Sequence, residues 1–273
     1  MLQNDTRITR WPQRRRQIEV MVVRRVELNR RQAEILDWIQ THGEAKISEL
    51  RDMFAVAEMT IRRDPDKLKR SGLVRRTFGG AIPVPQDVSL MERHTVMHEQ
   101  KMEIGKVAAE LIQPEQSIFV DAGTTTAEMA RNLKSESQIT VVTNALNVAS
   151  ILIERQIHTI MVGGMLMEKT MSLVGPIAIE ALQKMAFDQV FLGSTGLTID
   201  HGFSNSNVLE AEVKKTALRH TSVVNIVLDH SKFGVKQLVS FATLADVNRI
   251  ITDQVPPQDL HGAADKAKVE IIT

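Results

Sequence analysis

The chain reads as an α/β protein in two unequal parts, a winged helix-turn-helix in front and a larger, mostly parallel α/β domain behind it. Three observations predict this. Two short apolar-striped helices lead into a basic third helix and a small hairpin before residue 83, helical and strand patterns alternate from about residue 98, and a net charge of +1 conceals +7 over residues 1–86 against −6 over the remainder. A length of 273 residues is that of about two domains. With 43% hydrophobic and 25% charged residues, the chain has enough apolar matter to bury a real core.

Composition also removes several classes of function. The absence of cysteine excludes disulfides, thiolate metal sites and cysteine nucleophiles, and fits a reducing compartment. No apolar run approaches the roughly 18 residues of a membrane span, and the first twenty residues carry arginines without an apolar core, so neither a membrane partner nor a secretory signal is expected. The cytoplasm is the expected compartment.

Residues 1–29 form a basic arm. Over residues 1–31 nine arginines stand against Asp5, Glu19 and Glu27, and such an arm either tracks the phosphates of a polyanion or is simply solvated. Nothing in residues 1–20 specifies a fold, and Met21 offers an alternative start. A first helix runs from Arg31 to Thr41, where Ile35, Leu36, Trp38 and Ile39 fall at helical spacing and His42-Gly43 ends the pattern. Residues 47–54 repeat the stripe with Ile47, Leu50, Met53 and Phe54. After a short break a basic third helix starts at Glu58 and reaches Arg70, and residues 73–82 read as a hairpin that forms the wing. In this geometry the start of the third helix enters the major groove, which makes Thr60, Arg62 and Arg63 the candidates for DNA contacts. Arg75 and Arg76 would hold the backbone from the wing. A three-helix interaction module with solvated arginines fits the same spacing.

Residues 83–97 open with Pro83-Val84-Pro85 and show no sustained periodicity, so the winged domain is expected over 30–82, a linker over 83–97 and the second domain over 98–273. There, helices are predicted at 98–112, 125–133, 145–154, 176–185 and 207–219. Strands are predicted at 117–120, 139–142, 158–162, 189–192, 223–228 and 249–251. Such alternation builds a parallel, helix-covered sheet, whose ligands sit beyond the carboxyl ends of the strands. The first strand is followed by Asp121-Ala122-Gly123-Thr124-Thr125-Thr126 and a helix. A glycine that admits close approach, free helix-start amides and three hydroxyls suit a phosphate; a tight turn capped by threonines is the plainer alternative. Other strand ends carry Thr143-Asn144, Gly163-Gly164, Gly175-Pro176 and Asp229 with Ser231-Lys232-Phe233, and groups at one sheet edge converge on one pocket.

Particular runs go further. Met59-Thr60-Ile61-Arg62-Arg63-Asp64, Gly72-Leu73-Val74-Arg75-Arg76 and Phe78-Gly79-Gly80-Ala81 resemble the signature of the DeoR family of bacterial sugar-catabolism repressors. From about residue 98 the stretches Asp121–Thr126, Val142-Thr143-Asn144, Gly163-Gly164, Ser172–Gly175, Phe187-Asp188, Gly202-Phe203-Ser204, Glu210-Ala211-Glu212 and Asp229–Phe233 resemble the effector domain of the same family. The resemblance implies a sensor fold related to ribose-5-phosphate isomerase, glucosamine-6-phosphate deaminase and the CoA transferases, a phosphorylated sugar as inducer, double-stranded operator DNA as partner, and a homo-oligomer. Two positions depart from the family pattern. Ala57 stands where a capping serine is usual, a loss of about 1 kcal/mol. Pro65 stands where leucine is usual; inside a continuous helix it costs about 3 kcal/mol, and Asp64-Pro65-Asp66 offers a fresh helix start, so a kink is expected there.

Within that picture Gly123, Thr124, Thr125 and Thr126 would hold phosphate, with Lys232 as the pairing cation, and Asp121, Asn144 and Glu210 would accept from sugar hydroxyls. Gly163, Gly164 and Gly175 would line the same pocket. Asp121 as a plain turn cap, Lys232 as a surface residue and Glu210 as a solvated helix residue remain the bland alternatives. His94, His98, His158 and His230 show no metal-ligand spacing, so neither a metal nor a cofactor is expected. The rival functions are a sugar-phosphate isomerase with a tethered regulatory domain, for which Asp121, Glu210 and Lys232 would move protons, and a ligand-binding repressor whose DNA grip Ala57 and Pro65 have weakened.

Overall fold

The computed structural model describes residues 29–273 other than 43–44, 55, 57, 71–73, 78 and 84–88. The basic arm and Ala57 lie outside the described residues. The chain divides after Val84 into two compact units.

The front unit comprises α1 (Arg30–His42), β1 (Ala45–Lys46), α2 (Ile47–Phe54), α3 (Glu58–Arg70), β2 (Val74–Arg76) and β3 (Gly80–Pro83). Its core is the set read from the apolar stripes: Ile35 and Ile39 from α1, Leu50 from α2, Ile61 and Leu68 from α3, and Val74 and Ala81 from the hairpin. The strands form an antiparallel sheet in the order β1-β3-β2. Two-residue β1 is too short to show a period, but it makes Gly80 obligatory, since a Cβ there would stand 2.1 Å from the Ala45 carbonyl oxygen.

The fresh helix start expected at Asp64-Pro65 is corrected: α3 is one helix from Glu58 to Arg70 with the proline inside it. Asp64 does not cap a new segment, because its carboxylate accepts hydrogen bonds from Arg31 Nε at 2.7 Å and Gln32 Nε2 at 2.9 Å, both on α1. Ile61, Asp64, Pro65 and Leu68 follow the i, i+3, i+4, i+7 rule and are all buried on one face. Packing and the Asp64 anchor outweigh the local stop signal, although proline leaves the Ile61 carbonyl without its helical donor.

The rear unit comprises α4 (Leu90–Thr95), α5 (His98–Glu110), β4 (Ser117–Val120), α6 (Thr124–Asn132), β5 (Thr140–Thr143), α7 (Leu146–Glu154), β6 (His158–Met161), β7 (Met165–Met167), β8 (Ser172–Val174), α8 (Pro176–Gln183), β9 (Phe187–Gly193), β10 (Gly196–Thr198), β11 (Gly202–Asn205), α9 (Val208–Arg219), β12 (Thr221–Val227), β13 (Val239–Ala242), β14 (Arg249–Ile251), α10 (Gln258–Ala267) and β15 (Glu270–Ile272). Seven strands form a parallel sheet in the order β15-β14-β12-β9-β4-β5-β6. Along β4, Phe119 enters the core beneath α8, α9 and α10, while Ile118 and Val120 enter the core beneath α5, α6 and α7. The sheet is thereby covered on both faces, as a parallel sheet requires.

Several features were not expected. The stretch 83–97 is not all linker: α4 lies within it, started by a capping box in which Ser89 and Glu92 satisfy each other's backbone amides, and the S-x-x-E spacing was the available signal. Between the expected elements stand a β7-β8 hairpin and an antiparallel sheet, β10-β11-β13, and α10 and β15 complete the far edge.

Helices α5 and α6 touch at Gly105, where a Cβ would meet the Glu128 carbonyl carbon and the Met129 nitrogen at 2.6 Å. Glycine to alanine in a free helix gains about 1 kcal/mol. Here Gly105→Ala is expected to lower stability by about 1–3 kcal/mol, because the helices must separate. Thermal denaturation followed by circular dichroism checks this, and a higher melting temperature would contradict the close packing.

Candidate functional site

Strands β4, β5 and β6 lie in sequence order on one side of the sheet, and β9, β12, β14 and β15 run outward on the other, so the order reverses between β4 and β9. The chains leaving these two strands part in opposite directions and open a crevice at their carboxyl ends. Asp121 follows β4 and Gly193 ends β9. The Asp121 amide donates to Phe191 O at 3.0 Å, and the Gly193 amide donates to Asp121 Oδ2 at 3.2 Å. Lys214 on α9 reaches into the same point: its Nζ lies 2.7 Å from Asp121 Oδ2 and donates to Gly193 O at 2.6 Å, with the Phe241 ring 5.2 Å away. The two side chains are only 2% and 4% exposed. Burial pushes the Asp121 carboxyl above the ordinary carboxylate range against the pull of Lys214.

One turn before Lys214 on α9, Glu210 is buried, not solvated. It accepts from Ser172 Oγ at 2.8 Å and from Asn205 Nδ2 at 3.3 Å. Asn144 joins from the end of β5: its Nδ2 donates to Leu173 O at 3.3 Å and its backbone oxygen accepts from the Leu173 amide. Asp121, Asn144 and Glu210, chosen from separate parts of the chain, therefore stand in one polar floor with Lys214, which sequence reasoning missed. Lys214 sits among buried Val213 and Ala217 on an outer helix; its i, i+4 spacing from Glu210 was the only signal.

The 121–126 loop forms one wall. Helix α6 starts at Gly123 with no side-chain cap and no acid in its first turn, so the amides of Thr124, Thr125 and Thr126 keep their anion-binding capacity. Gly123 is extended, and a Cβ there would stand 3.0 Å from Thr126 Oγ1. Asn147 Nδ2 donates to Gly123 O. Thr126 Oγ1, Asn144 Oδ1, Asn147 Oδ1 and Asn205 Oδ1 are all buried without a hydrogen-bond partner in the chain, which is costly unless something else supplies one.

The remaining candidates are placed differently. Gly164, with φ at +122°, lets the chain pass Val174, whose carbonyl oxygen a Cβ would meet at 2.6 Å, and Gly163 precedes it with φ at +74°. Gly175 begins α8 ahead of Pro176 with φ at +90°. Lys232 donates to Ser231 Oγ at 2.8 Å and lies 3.6 Å from Asp229 Oδ1, at the end of β12, two strands from β4. Lys101 is buried, with Nζ capping the end of α4 through Arg93 O at 2.6 Å and Val96 O. His94, His98 and Glu128 form a cluster that histidine spacing alone could not show. A shallow cleft of about 390 Å³ lies where Thr140 and His158 begin β5 and β6, at the opposite sheet edge.

In the front unit Thr60 and Arg63 are exposed on the first two turns of α3, where a groove-entering helix presents its contacts. The side chains of Arg62, Arg75 and Arg76 lie outside the described residues. Residues 31–86 match the DeoR-like helix-turn-helix domain, and residues 96–254 match the DeoR C terminal sensor domain.

The chain belongs to the DeoR family. It is 33% identical over 226 residues to the HTH-type transcriptional regulator IolR of Bacillus subtilis, covering 81% of this chain and 89% of the relative. The putative aga operon transcriptional repressor of Escherichia coli O157:H7 is 30% identical over 248 residues, covering 89% and 92%. A solved ribose 5-phosphate isomerase of Methanocaldococcus jannaschii superposes with a TM-score of 0.38 at 13% identity, over 50% of this chain and 55% of the other; the sheet order and the domain matches, not this weak likeness, establish the fold. Both matched domains are regulatory, so this DeoR-family chain is a DNA-binding transcriptional regulator and the isomerase alternative is set aside. Among the described residues no helix is long and apolar enough to cross a membrane.

One pH effect follows for this family member. Burial draws the Lys101 ammonium down from its ordinary 10.5 to about 8, against the opposing pull of Asp229. Between those values the unfolded chain holds a proton that the folded chain has released, so folding stability is expected to rise with pH from about 8 to 10.5. Urea midpoints measured across that range should rise in the parent and rise less in Lys101→Met; parallel curves would contradict the assignment.

Proposed function

We propose that this regulator represses a carbohydrate-utilisation operon and leaves its operator when a phosphorylated sugar binds at the β4/β9 crevice. The single observation that carries the reading is the convergence, at the reversal of strand order, of an uncapped helix start with buried polar atoms that lack partners. The α6 amides and the hydroxyls of Thr124, Thr125 and Thr126 suit the phosphate, which gains from the positive end of the helix dipole. Asp121, Asn144 and Glu210 suit the sugar hydroxyls, and Lys214 supplies the buried cation, with Lys232 at the flank. Gly163, Gly164 and Gly175 shape the neighbouring turns. A relative named the glycerol-3-phosphate regulon repressor, 29% identical over 226 residues, supports a small phosphorylated metabolite as the signal. A homo-oligomer fits recognition of a two-fold operator.

On the DNA side, Thr60, Arg62 and Arg63 read the major groove and Arg75 and Arg76 grip phosphates from the wing. Fluorescence anisotropy of the full chain on DNA from upstream of its own gene tests both halves. Arg63→Ala is expected to cost about 1–3 kcal/mol if it reads a base, or to reduce the salt slope by about 0.9 if it neutralises a phosphate. A panel of triose, pentose and hexose phosphates should contain a ligand that releases the DNA, and by linkage operator DNA must weaken that ligand by the same factor. Binding untouched by Arg63→Ala and by every sugar phosphate would refute the reading.

A further inference from the structure

Helices α4, α5 and α6 each contribute one side chain to a group outside the crevice. His94, His98 and Glu128 bring two imidazole nitrogens and a carboxylate oxygen within 4.8 Å of one another. Glu128 is 6% exposed, and its Oε1 has no hydrogen-bond partner: His94 Nε2 and Arg131 Nε both stand 3.5 Å away, beyond a good hydrogen bond. His98 Nδ1 is likewise buried without a partner. The two rings lie 4.8 Å apart and tilted by 33°. A neutral imidazole has one ring nitrogen with a free lone pair, the form in which histidine ligates a metal.

We propose that His94, His98 and Glu128 bind a divalent transition metal ion of the zinc type. Two nitrogens and one carboxylate oxygen are the donors of borderline ions, whereas magnesium and calcium take oxygen alone. Around a tetrahedral ion with bonds of about 2.0–2.2 Å, donor atoms stand about 3.4 Å apart. Side-chain rotation is enough to close the gap, because His94 is half-exposed and Arg131, 49% exposed, is free to leave Glu128 for solvent. Lys101, another cation near Glu128, has its amine on the Arg93 and Val96 carbonyl oxygens. Glu128 lies one turn after Thr124 on α6, so the ion would clip α4, the first element after residue 88, to the helix that begins at the 121–126 loop.

The test uses the full chain, stripped with a chelator and dialysed. Titration with Co2+ should give the visible absorption of a nitrogen- and oxygen-ligated ion at one per chain, and excess Zn2+ should raise the melting temperature. His98→Ala and Glu128→Gln should each weaken Co2+ more than about a hundredfold, beyond the 10–100-fold typical of losing an outer-shell partner. His158→Ala should bind as the parent does. Circular dichroism separates loss of the site from loss of the fold, and His94→Gln gives a third, half-exposed position if either of those variants misfolds. Absence of a stoichiometric Co2+ spectrum in the parent, or undiminished affinity in the folded His98→Ala and Glu128→Gln variants, would overturn the proposal.

Discussion

The structure turns on one buried ion pair. Asp121 and Lys214 meet 2.7 Å apart at the only point where the strand order of the main sheet reverses, and almost no solvent reaches either. Desolvating two charges commonly costs as much as their attraction returns, and the upward push on Asp121 shows that burial wins for that carboxyl. An apolar pair would hold β4, β9 and α9 together as well. What the charges add is polarity in a low-dielectric crevice, and the rest of the floor is arranged around them: Gly193 donates to Asp121 and accepts from Lys214, while Glu210 ties α9 to Ser172 and Asn205.

The front domain shows the same priority of tertiary contact over local preference. Pro65 should end a helix, yet α3 continues through it because Ile61 and Leu68 pack on either side and Asp64 binds Arg31 and Gln32 of α1. The anchor also ties the middle of α3 to α1, immediately after Arg63. A proline within this helix therefore need not disable it, since the residues proposed to contact DNA precede the proline and the anchor sits beside it.

The parts legible in the sequence are those with a period or a motif of their own. Strands β4 and β14 were predicted with the bounds they have, because continuous apolar runs end there at polar or glycine residues. The Asp121–Thr126 loop declared itself through composition and Asn144 through its place at the end of a strand, whereas Glu210 was reached only through the family resemblance. Lys214 did not: a lysine on an amphipathic helix normally faces water, and only the fold shows that this one turns inward at the end of β9. The three-residue strands β7 and β10 show no alternation and, unlike β14, were not placed. The His94, His98 and Glu128 group escaped for a different reason, since Glu128 lies thirty residues beyond His98 and only helix packing at Gly105 brings α5 against α6.

If the Asp121–Lys214 pair is kept for a ligand, removing both charges should separate stability from binding. Calorimetric titration of the effective sugar phosphate into the Asp121→Asn/Lys214→Met double variant, beside the parent, is the most direct measurement. The double variant should stay folded within about 1 kcal/mol of the parent and lose sugar-phosphate affinity by at least about tenfold. A variant that binds as the parent does while losing several kcal/mol of stability would mean that the pair is a structural clamp and that the ligand lies elsewhere.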